Sequence, residues 1–199
     1  MRRFSRKTAP KVKGGKVQRK NRTALSNHYN NCPQPRPMID RLKPGEGYRH
    51  YLKIRDIKRF IGMLPDWKEL SKGLNAILLA PGEYDVMGWH SGGVVAVCAW
   101  ERDRDDTWSV SFVEEHEKIF EKLGVTHRRV KGDRFECDFD DRSIRGFQLM
   151  HILVHELGHH HDRMTTRSQR EASRGERYAE AYTRVHGEEL WSRYFDEFG

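Results

Sequence analysis

The chain has 199 residues and a formal net charge of +8 at pH 7, and 36% of its residues are hydrophobic. This length favours one domain with an appendage. No apolar run approaches the ~18 residues that a transmembrane helix needs, so no membrane partner is expected. Cys32, Cys98 and Cys137 are far apart and give neither a disulfide framework nor a zinc ribbon. A reducing, cytoplasmic setting is therefore expected.

The excess positive charge lies in the N-terminal segment. Residues 1–31 contain ten Lys and Arg and no Asp or Glu, which leaves 27 basic and 29 acidic residues in the remainder. This composition predicts a basic disordered tail and proline-rich linker over residues 1–37, followed by a folded domain over residues 38–199. The tail is predicted either to bind DNA or RNA phosphates without sequence preference, or to act only as a solvating segment.

Hydrophobic periodicity and turn residues divide the domain into short elements. The predicted elements are a helix at 54–61 stopped by Pro65, a short helix at 67–72, strands at 74–80, 94–100 and 108–112, a helix at 114–123 ended by Gly124, and a hairpin of strands at 125–130 and 134–139. Next comes a largely apolar helix from Ile144, with Asp141 or Ser143 as its N-cap. Residues 165–175 are predicted to form a polar connection.

Two helices are predicted at the C-terminal end, one from Glu176 to a stop near Gly187 and a last, aromatic one over residues 188–198. Strands followed by helices in this order predict an α+β fold. We expect a small mixed sheet with the helix from Ile144 packed against one face.

The histidines of that helix follow the pattern His155-Glu156-Leu157-Gly158-His159. Residues four apart share a helix face, so His155 and His159 can bind one metal ion. Glu156 is rotated by roughly 100° and can accept a proton from water that the metal activates. The alternative is an ordinary His-rich helix end. His151, His160 and His161 could supply a further ligand to a structural site, but His151 is expected in the core, and His160 and His161 in solvent.

This motif resembles the active-site helix of the zincin metallopeptidases. Asp162 and Thr165 stand where the metzincin pattern has glycine and a third histidine, so that subgroup does not fit. Residues 175–182 resemble the ligand helix of the small gluzincins, with its E-x-x-x-[DN] pattern. The resemblance covers residues 146–186 and implies a zincin-like fold with Glu176 as the third zinc ligand. Glu180 stands at the Asp/Asn position as an alternative ligand or a partner of a ligand histidine.

The resemblance implies a Zn²⁺-dependent metallopeptidase that acts on a protein or peptide, with Glu156 as general base. Tyr178, Tyr182 or His186 is the candidate to stabilise the oxyanion. In that family an exposed strand edge holds the substrate, and residues 94–100 are the candidate strand or else an ordinary core strand. The alternative function is a nucleic-acid-binding protein with a structural zinc site. Glu156 favours catalysis, because a structural site has no use for a base.

Overall fold

The structure is a computed structural model of the chain, and it describes residues 12–13, 16–17, 29, 35–103, 107–167, 169 and 172–199. Most of the tail and linker predicted over residues 1–37 therefore lies outside the described residues. Within that segment, strands β1 (Val12–Lys13) and β2 (Lys16–Val17) pair antiparallel. Tyr29 is 5% exposed, and its hydroxyl donates a hydrogen bond to Asp40.

A four-stranded mixed sheet forms the centre of the domain, as the sequence predicts. Its strands are β3 (Met38–Arg41), β5 (Ala76–Ala80), β6 (Gly88–Ser91) and β7 (Val94–Cys98). Their order is β3-β5-β7-β6, with β3, β5 and β7 parallel and β6 antiparallel to β7. Every residue of β5 and β7 is buried, which explains their unbroken apolar sequences.

Two smaller sheets complete the β structure. Strand β4 (Tyr48–Arg49) pairs antiparallel with β8 (Trp100–Glu101). Strand β9 (Thr107–Ser109) pairs with β11 (Arg134–Asp138), which forms the predicted hairpin with β10 (Thr126–Val130). Mixed strands and helices confirm the predicted α+β class.

The helices contact the central sheet and one another. They are α1 (Ile54–Met63), α2 (Trp67–Leu70), α3 (Val110–Leu123), α4 (Asp141–Phe147), a π-helical segment (Gln148–Leu153), α5 (Val154–Met164) and α6 (Glu176–Phe198). The buried side chain of Gln148 donates a hydrogen bond of 2.9 Å to the carbonyl of Cys98, which ties the π-helical segment to the end of β7. No helix in the described part of the chain is long and apolar enough to cross a membrane.

Three predicted helix boundaries are wrong. Helix α3 begins at Val110, four residues early, because the Ser109 hydroxyl accepts the backbone N–H of Phe112 at 3.2 Å and caps the helix there. The N-cap of α4 is Asp140, which forms a capping box with Ser143. Helix α6 continues through Gly187 to Phe198, since its buried residues extend beyond the glycine: Ala179, Leu190, Trp191 and Tyr194.

The candidate substrate strand is also placed differently from the prediction. Strand β7 lies between β5 and β6, so both of its edges are already hydrogen-bonded. Residues 94–100 therefore cannot offer an exposed edge, and the core alternative is correct. The sheet instead ends at β6, and that strand contacts α5. The edge beside the motif helix thus belongs to residues 88–91.

Candidate metal centre

Helices α5 and α6 bring three potential metal ligands together. Nε2 of His155 lies 3.3 Å from Oε2 of Glu176, and Nε2 of His159 lies 3.7 Å from the same oxygen. One ligand atom from each residue lies within 4.8 Å of the other two. His155 and His159 of α5 therefore converge with Glu176, the first residue of α6. The chain between the two helices ends at Gly175, 16 positions after His159.

The spacing of these atoms fits a tetrahedral metal ion. Zinc with ligand bonds near 2.1 Å places neighbouring ligand atoms roughly 3.4 Å apart. The two measured separations from the Glu176 oxygen, 3.3 and 3.7 Å, lie on either side of that value. Two imidazole nitrogens with one carboxylate oxygen also form a donor set found in catalytic zinc sites. The three residues therefore fit the donor set of a zinc ion, and they are the potential ligands that converge here among the described residues.

The electrostatics of the cluster favour charge on its members. Hydrogen bonds from His155 and His159 hold the pKa of Glu176 well below its ordinary value. Burial lowers the pKa of His159, but the contact with Glu176 and the nearby charges of Glu156 and Asp162 outweigh burial and raise it. The carboxylate thus remains ionised at neutral pH, as a metal ligand must be.

Gly158 of the motif lets the two helices approach closely. A Cβ atom at this position would lie 3.0 Å from Cα of Ala179 and 3.1 Å from Cβ of Tyr182. These separations are shorter than ordinary carbon–carbon contacts, which lie near ~3.5–4.0 Å. The glycine therefore sets the distance at which α6 crosses α5, and with it the reach of Glu176.

Asp162 positions the start of α6, a role that the sequence pattern does not predict. Its side chain is 0% exposed, and Oδ2 accepts the backbone N–H groups of Arg174 at 2.8 Å and Gly175 at 2.9 Å. Oδ1 accepts the Arg174 Nε–H at 2.7 Å. Asp162, which stands where the metzincin pattern has glycine, thus holds the segment just before Glu176. The only indication of this role in the sequence is an acidic residue about one helical turn after His159.

Glu156 is buried beside the edge strand. Its residue is 6% exposed, and it follows His155 on α5. A Cβ atom at Gly88 of β6 would lie 3.0 Å from Cγ of Glu156 and 2.7 Å from Cγ2 of Ile152. The glycine therefore allows β6 to lie directly against the side of α5 that carries Glu156.

The other predicted site residues do not join the cluster. Glu180 is exposed, and Nδ1 of His155 is buried with no hydrogen-bond partner among the described residues. The contact that the resemblance implies between position 180 and a ligand histidine is therefore not made to this nitrogen. Among the described residues, Glu176 is the carboxylate that reaches both histidines.

The three candidate oxyanion stabilisers contact a different set of side chains. The Tyr178 hydroxyl hydrogen-bonds Nδ1 of His161 at 2.7 Å, and the Arg174 guanidinium lies 3.7 Å from the Tyr178 ring centre. The ring centroids of Tyr182 and His186 lie 4.1 Å apart with the planes tilted by 39°, and Tyr182 also lies against His161. These contacts form an aromatic row between α5 and α6 that does not include His155 or His159.

Two expectations about the flanking histidines are wrong. His160 is 0% exposed, and its Nε2–H donates to the carbonyl of Lys72 at 2.9 Å. Its ring packs edge-on against His90 of β6, with 5.6 Å between centroids. His161 is half-buried through its bond to Tyr178. Helix α5 is covered by α6 on one side and by β6 on another, so few of its positions reach solvent.

His151 joins a histidine pair that the sequence did not reveal. It is half-buried, not fully buried as expected, and its Nε2 lies 2.9 Å from Nε2 of His116 on α3. Nδ1 of His116 lies 2.6 Å from the carbonyl of Phe112, and a carbonyl only accepts, so this nitrogen carries a proton. One further proton is then shared between the two Nε2 atoms. The two histidines are 35 positions apart in the sequence, so no local sequence pattern predicts their contact.

Comparisons with known proteins add no relative. No protein-family model matches the chain, and no curated protein and no solved structure matches it. The chemistry of the site therefore follows from its own geometry, namely three convergent donors, a buried glutamate beside them and an edge strand along the same helix.

Proposed function

We propose that this chain is a zinc-dependent metallopeptidase. The observation that carries the proposal is the convergence of His155, His159 and Glu176, whose ligand atoms lie within 4.8 Å of one another. These three residues would hold the ion, which lowers the pKa of water to about 7 and polarises a carbonyl group when it is bound. Three protein ligands leave a position for water and substrate, as in catalytic zinc sites.

Glu156 would act as general base and then as general acid. It belongs to the same turn of α5 as the two histidines but is not part of the ligand set, so it can accept a proton from the attacking water. It would then give that proton to the leaving amine.

Strand β6 would hold the substrate. Among the described strands it pairs only with β7, so its other edge offers backbone N–H and C=O groups to an extended peptide. Gly88 brings this strand against Glu156. A peptide paired with β6 would therefore run alongside the general base, and this strand replaces residues 94–100 in the proposal.

A reducing, cytoplasmic setting is part of the proposal. Cys98 and Cys137 are both buried thiols that form no disulfide bond. Burial raises the pKa of Cys137 to about 12, so this thiol stays protonated and is a poor nucleophile and metal ligand. Both cysteines act as core residues, which suits a compartment that keeps thiols reduced.

The decisive experiment compares Glu156→Gln with wild type. We expect elemental analysis to give about one zinc per chain in both proteins, while peptide hydrolysis falls by roughly 10²–10⁴-fold in the variant, the usual contribution of a general base. Glu180→Gln is the matched control, because it removes the same charge from an exposed position on α6. It should retain both zinc and activity.

The alternative function makes the opposite prediction. A nucleic-acid-binding protein with a structural zinc site would show no hydrolysis in wild type, and structural sites use four protein ligands. The described residues supply three. If Glu156→Gln cleaves a peptide substrate at the wild-type rate, the peptidase mechanism is wrong.

A further inference from the structure

The ring of His155 is not held by a hydrogen bond at its second nitrogen. Its Nε2 faces Glu176, while its Nδ1 is buried and has no hydrogen-bond partner among the described residues. Histidine ligands of metal ions usually donate their second ring N–H to a carboxylate, a carbonyl or water, and that bond fixes the orientation of the ring. The orientation of the His155 ring therefore depends on the side chains packed against it.

Two aromatic side chains in the described part of the chain lie against the His155 ring. His159, the second candidate ligand, lies edge-on to it with 4.9 Å between ring centroids. His151 lies 6.0 Å away with the ring planes tilted by 39°. Both distances are within the ~4.5–7 Å over which aromatic rings interact favourably. His151 is thus the neighbour of this ring that is not itself a member of the candidate ligand set.

The plane of the His151 ring is fixed from α3. Nε2 of His151 lies 2.9 Å from Nε2 of His116, and Nδ1 of His116 donates its N–H to the carbonyl of Phe112 at 2.6 Å. The χ2 torsion of a histidine has broad minima, so packing alone defines the plane of its ring poorly. A hydrogen bond at a ring nitrogen defines that plane. His116 is 4% exposed, and its bond to its own helix holds it in one orientation.

Phe147 makes the surroundings of this histidine pair apolar. Its ring centroid lies 4.9 Å from that of His151 and 5.3 Å from that of His116, and its side chain is 0% exposed. A hydrogen bond is electrostatically stronger in apolar surroundings than in water. The bond between the two imidazoles is therefore a firmer restraint than the same bond would be at the surface.

His151 lies in the π-helical segment that leads directly into α5. π-helical turns are rare, and they occur mostly as single turns inside α-helices at functional sites. The hydrogen bond from Gln148 to the carbonyl of Cys98 holds the first residue of this segment at 2.9 Å. The unusual helix geometry one turn before the first candidate ligand is an independent indication that this segment has a function.

We propose that His116 and His151 are positioning residues of the metal centre, which hold the ring of His155 in the orientation that zinc binding requires. This role rests on the proposed zinc-dependent function. The restraint passes from the carbonyl of Phe112 through the two imidazoles to the His155 ring, so α3 stabilises a ligand that lies on α5. The histidine pair takes the place of the carboxylate or carbonyl that usually binds the second nitrogen of a ligand histidine.

The variants His116→Phe and His151→Phe test this role, because phenylalanine keeps an aromatic ring and removes the hydrogen bond. We expect each variant to bind zinc about tenfold more weakly than wild type in competition with a chelator of known affinity. The double variant should lose no more than about twofold beyond the larger single loss, because both residues act through one hydrogen bond.

Cobalt(II) in place of zinc supplies a measurement that a purely structural role would not change. Its visible absorption depends on the geometry of the ligands, so both variants should give spectra different from that of wild type. His50→Phe is the matched control, since this half-buried histidine also bonds a backbone carbonyl, that of Leu42 at 2.9 Å, and lies outside the candidate centre. It should leave the zinc affinity and the cobalt spectrum unchanged.

NMR of isotopically labelled, zinc-loaded wild type gives a test that needs no variant and no change to the core. A proton held between two ring nitrogens transmits a scalar coupling from one nitrogen to the other. We expect this coupling between Nε2 of His116 and Nε2 of His151, with a second proton on Nδ1 of His116.

Four results would overturn the proposal. Zinc affinities and cobalt spectra of both variants that match wild type would leave the zinc centre intact and show that the pair has no role in it. An equal loss in His50→Phe would show a general effect on folding, and absence of the coupling would show that the two imidazoles are not bonded. Wild type that binds neither zinc nor cobalt would refute the zinc centre itself, and the positioning role with it.

Discussion

At the scale of single residues, the position of Glu176 beside the two histidines distinguishes it from Glu180. Its carboxylate lies 3.3 Å from one histidine nitrogen and 3.7 Å from the other, while Glu180, one turn further along α6, is exposed. The two glutamates carry the same charge and stand on the same helix. Their difference is therefore one of position, which mutation can measure directly.

We predict that Glu176→Ala weakens zinc binding by more than about 100-fold, because loss of a direct ligand costs more than loss of a residue that only orients one. Glu180→Ala should change zinc affinity by less than about tenfold. The measurement is competition with a chelator of known affinity, followed by elemental analysis. A larger effect from Glu180→Ala would transfer the ligand assignment to that residue.

His90 gives a prediction about pH. Burial, and then the neighbouring charges of His160, His159 and Arg163, lower its pKa to about 3 in the folded protein. In the unfolded chain its pKa is ~6.5. Between these values the unfolded chain binds a proton that the folded protein excludes, so His90 makes stability fall as pH falls, by up to ~1.4 kcal/mol per pH unit.

Urea unfolding of wild type and His90→Gln at two pH values measures this contribution. Between roughly pH 7 and pH 5 the free energy of unfolding of wild type should fall by up to ~2 kcal/mol more than that of the variant. His127→Gln on β10 is the control, because that histidine is exposed. Equal pH dependence in wild type and His90→Gln would show that His90 is not excluded from protonation.

At the scale of elements, the crossing of α5 and α6 decides whether the ligands meet. Gly158 lies where the two helices contact each other. A Cβ atom added to it would lie 3.0 Å from Cα of Ala179. Asp162 then holds the chain before Glu176. Both residues fix the position of the first turn of α6 relative to the face of α5 that carries the two histidines.

We predict that Gly158→Ala destabilises the protein by ~1–3 kcal/mol, since the added methyl group forces two backbones apart. It should also weaken zinc binding, because Glu176 moves with α6. Gly187→Ala is the matched control, a glycine inside the same helix whose added Cβ meets nothing within 4 Å. It should stabilise by ~0.5–1 kcal/mol through helix propensity alone.

Thermal melting with and without added zinc distinguishes the two effects. If Gly158→Ala melts at or above the wild-type temperature and keeps its zinc affinity, the close crossing is not required. A gain in stability from Gly187→Ala beside a loss from Gly158→Ala would show that contact, and not backbone flexibility, explains the glycine of the motif.

At the scale of the whole molecule, charge is divided between the N-terminal segment and the rest. All ten basic residues of the segment precede Tyr29. Tyr29 itself is buried against β5 and β7 and bonded to Asp40. A deletion that tests the basic segment should therefore stop at residue 28 and keep this contact.

We predict that deleting residues 1–28 leaves zinc content and melting temperature unchanged but weakens binding to DNA and RNA. The ten positive charges disappear, and the logarithm of affinity falls by ~0.9 per phosphate contact for each tenfold rise in salt. Full-length protein should therefore lose affinity steeply between about 50 and 200 mM salt, with little sequence preference. Equal binding by both forms would leave the segment as a solvating tail.

What the sequence alone determined is local. Four predictions that depend only on residues close together in the sequence are confirmed. They are the strand within residues 74–80, the β10–β11 hairpin, the end of α3 at Gly124, and the helix that carries His155 and His159. The motif lies on a helix, as its spacing requires. Metal binding and catalysis by these residues stay predictions.

The tertiary structure decided which distant residues meet. It placed Glu176, and not Glu180, against the histidines, and it made β6 the sheet edge in place of residues 94–100. It also buried His160 and paired His151 with His116, which no local spacing predicts. The physical reason is common to all of these. The burial of a side chain and its contacts with distant residues depend on how whole helices and strands pack together. The hydrophobic periodicity of one element predicts only the structure of that element.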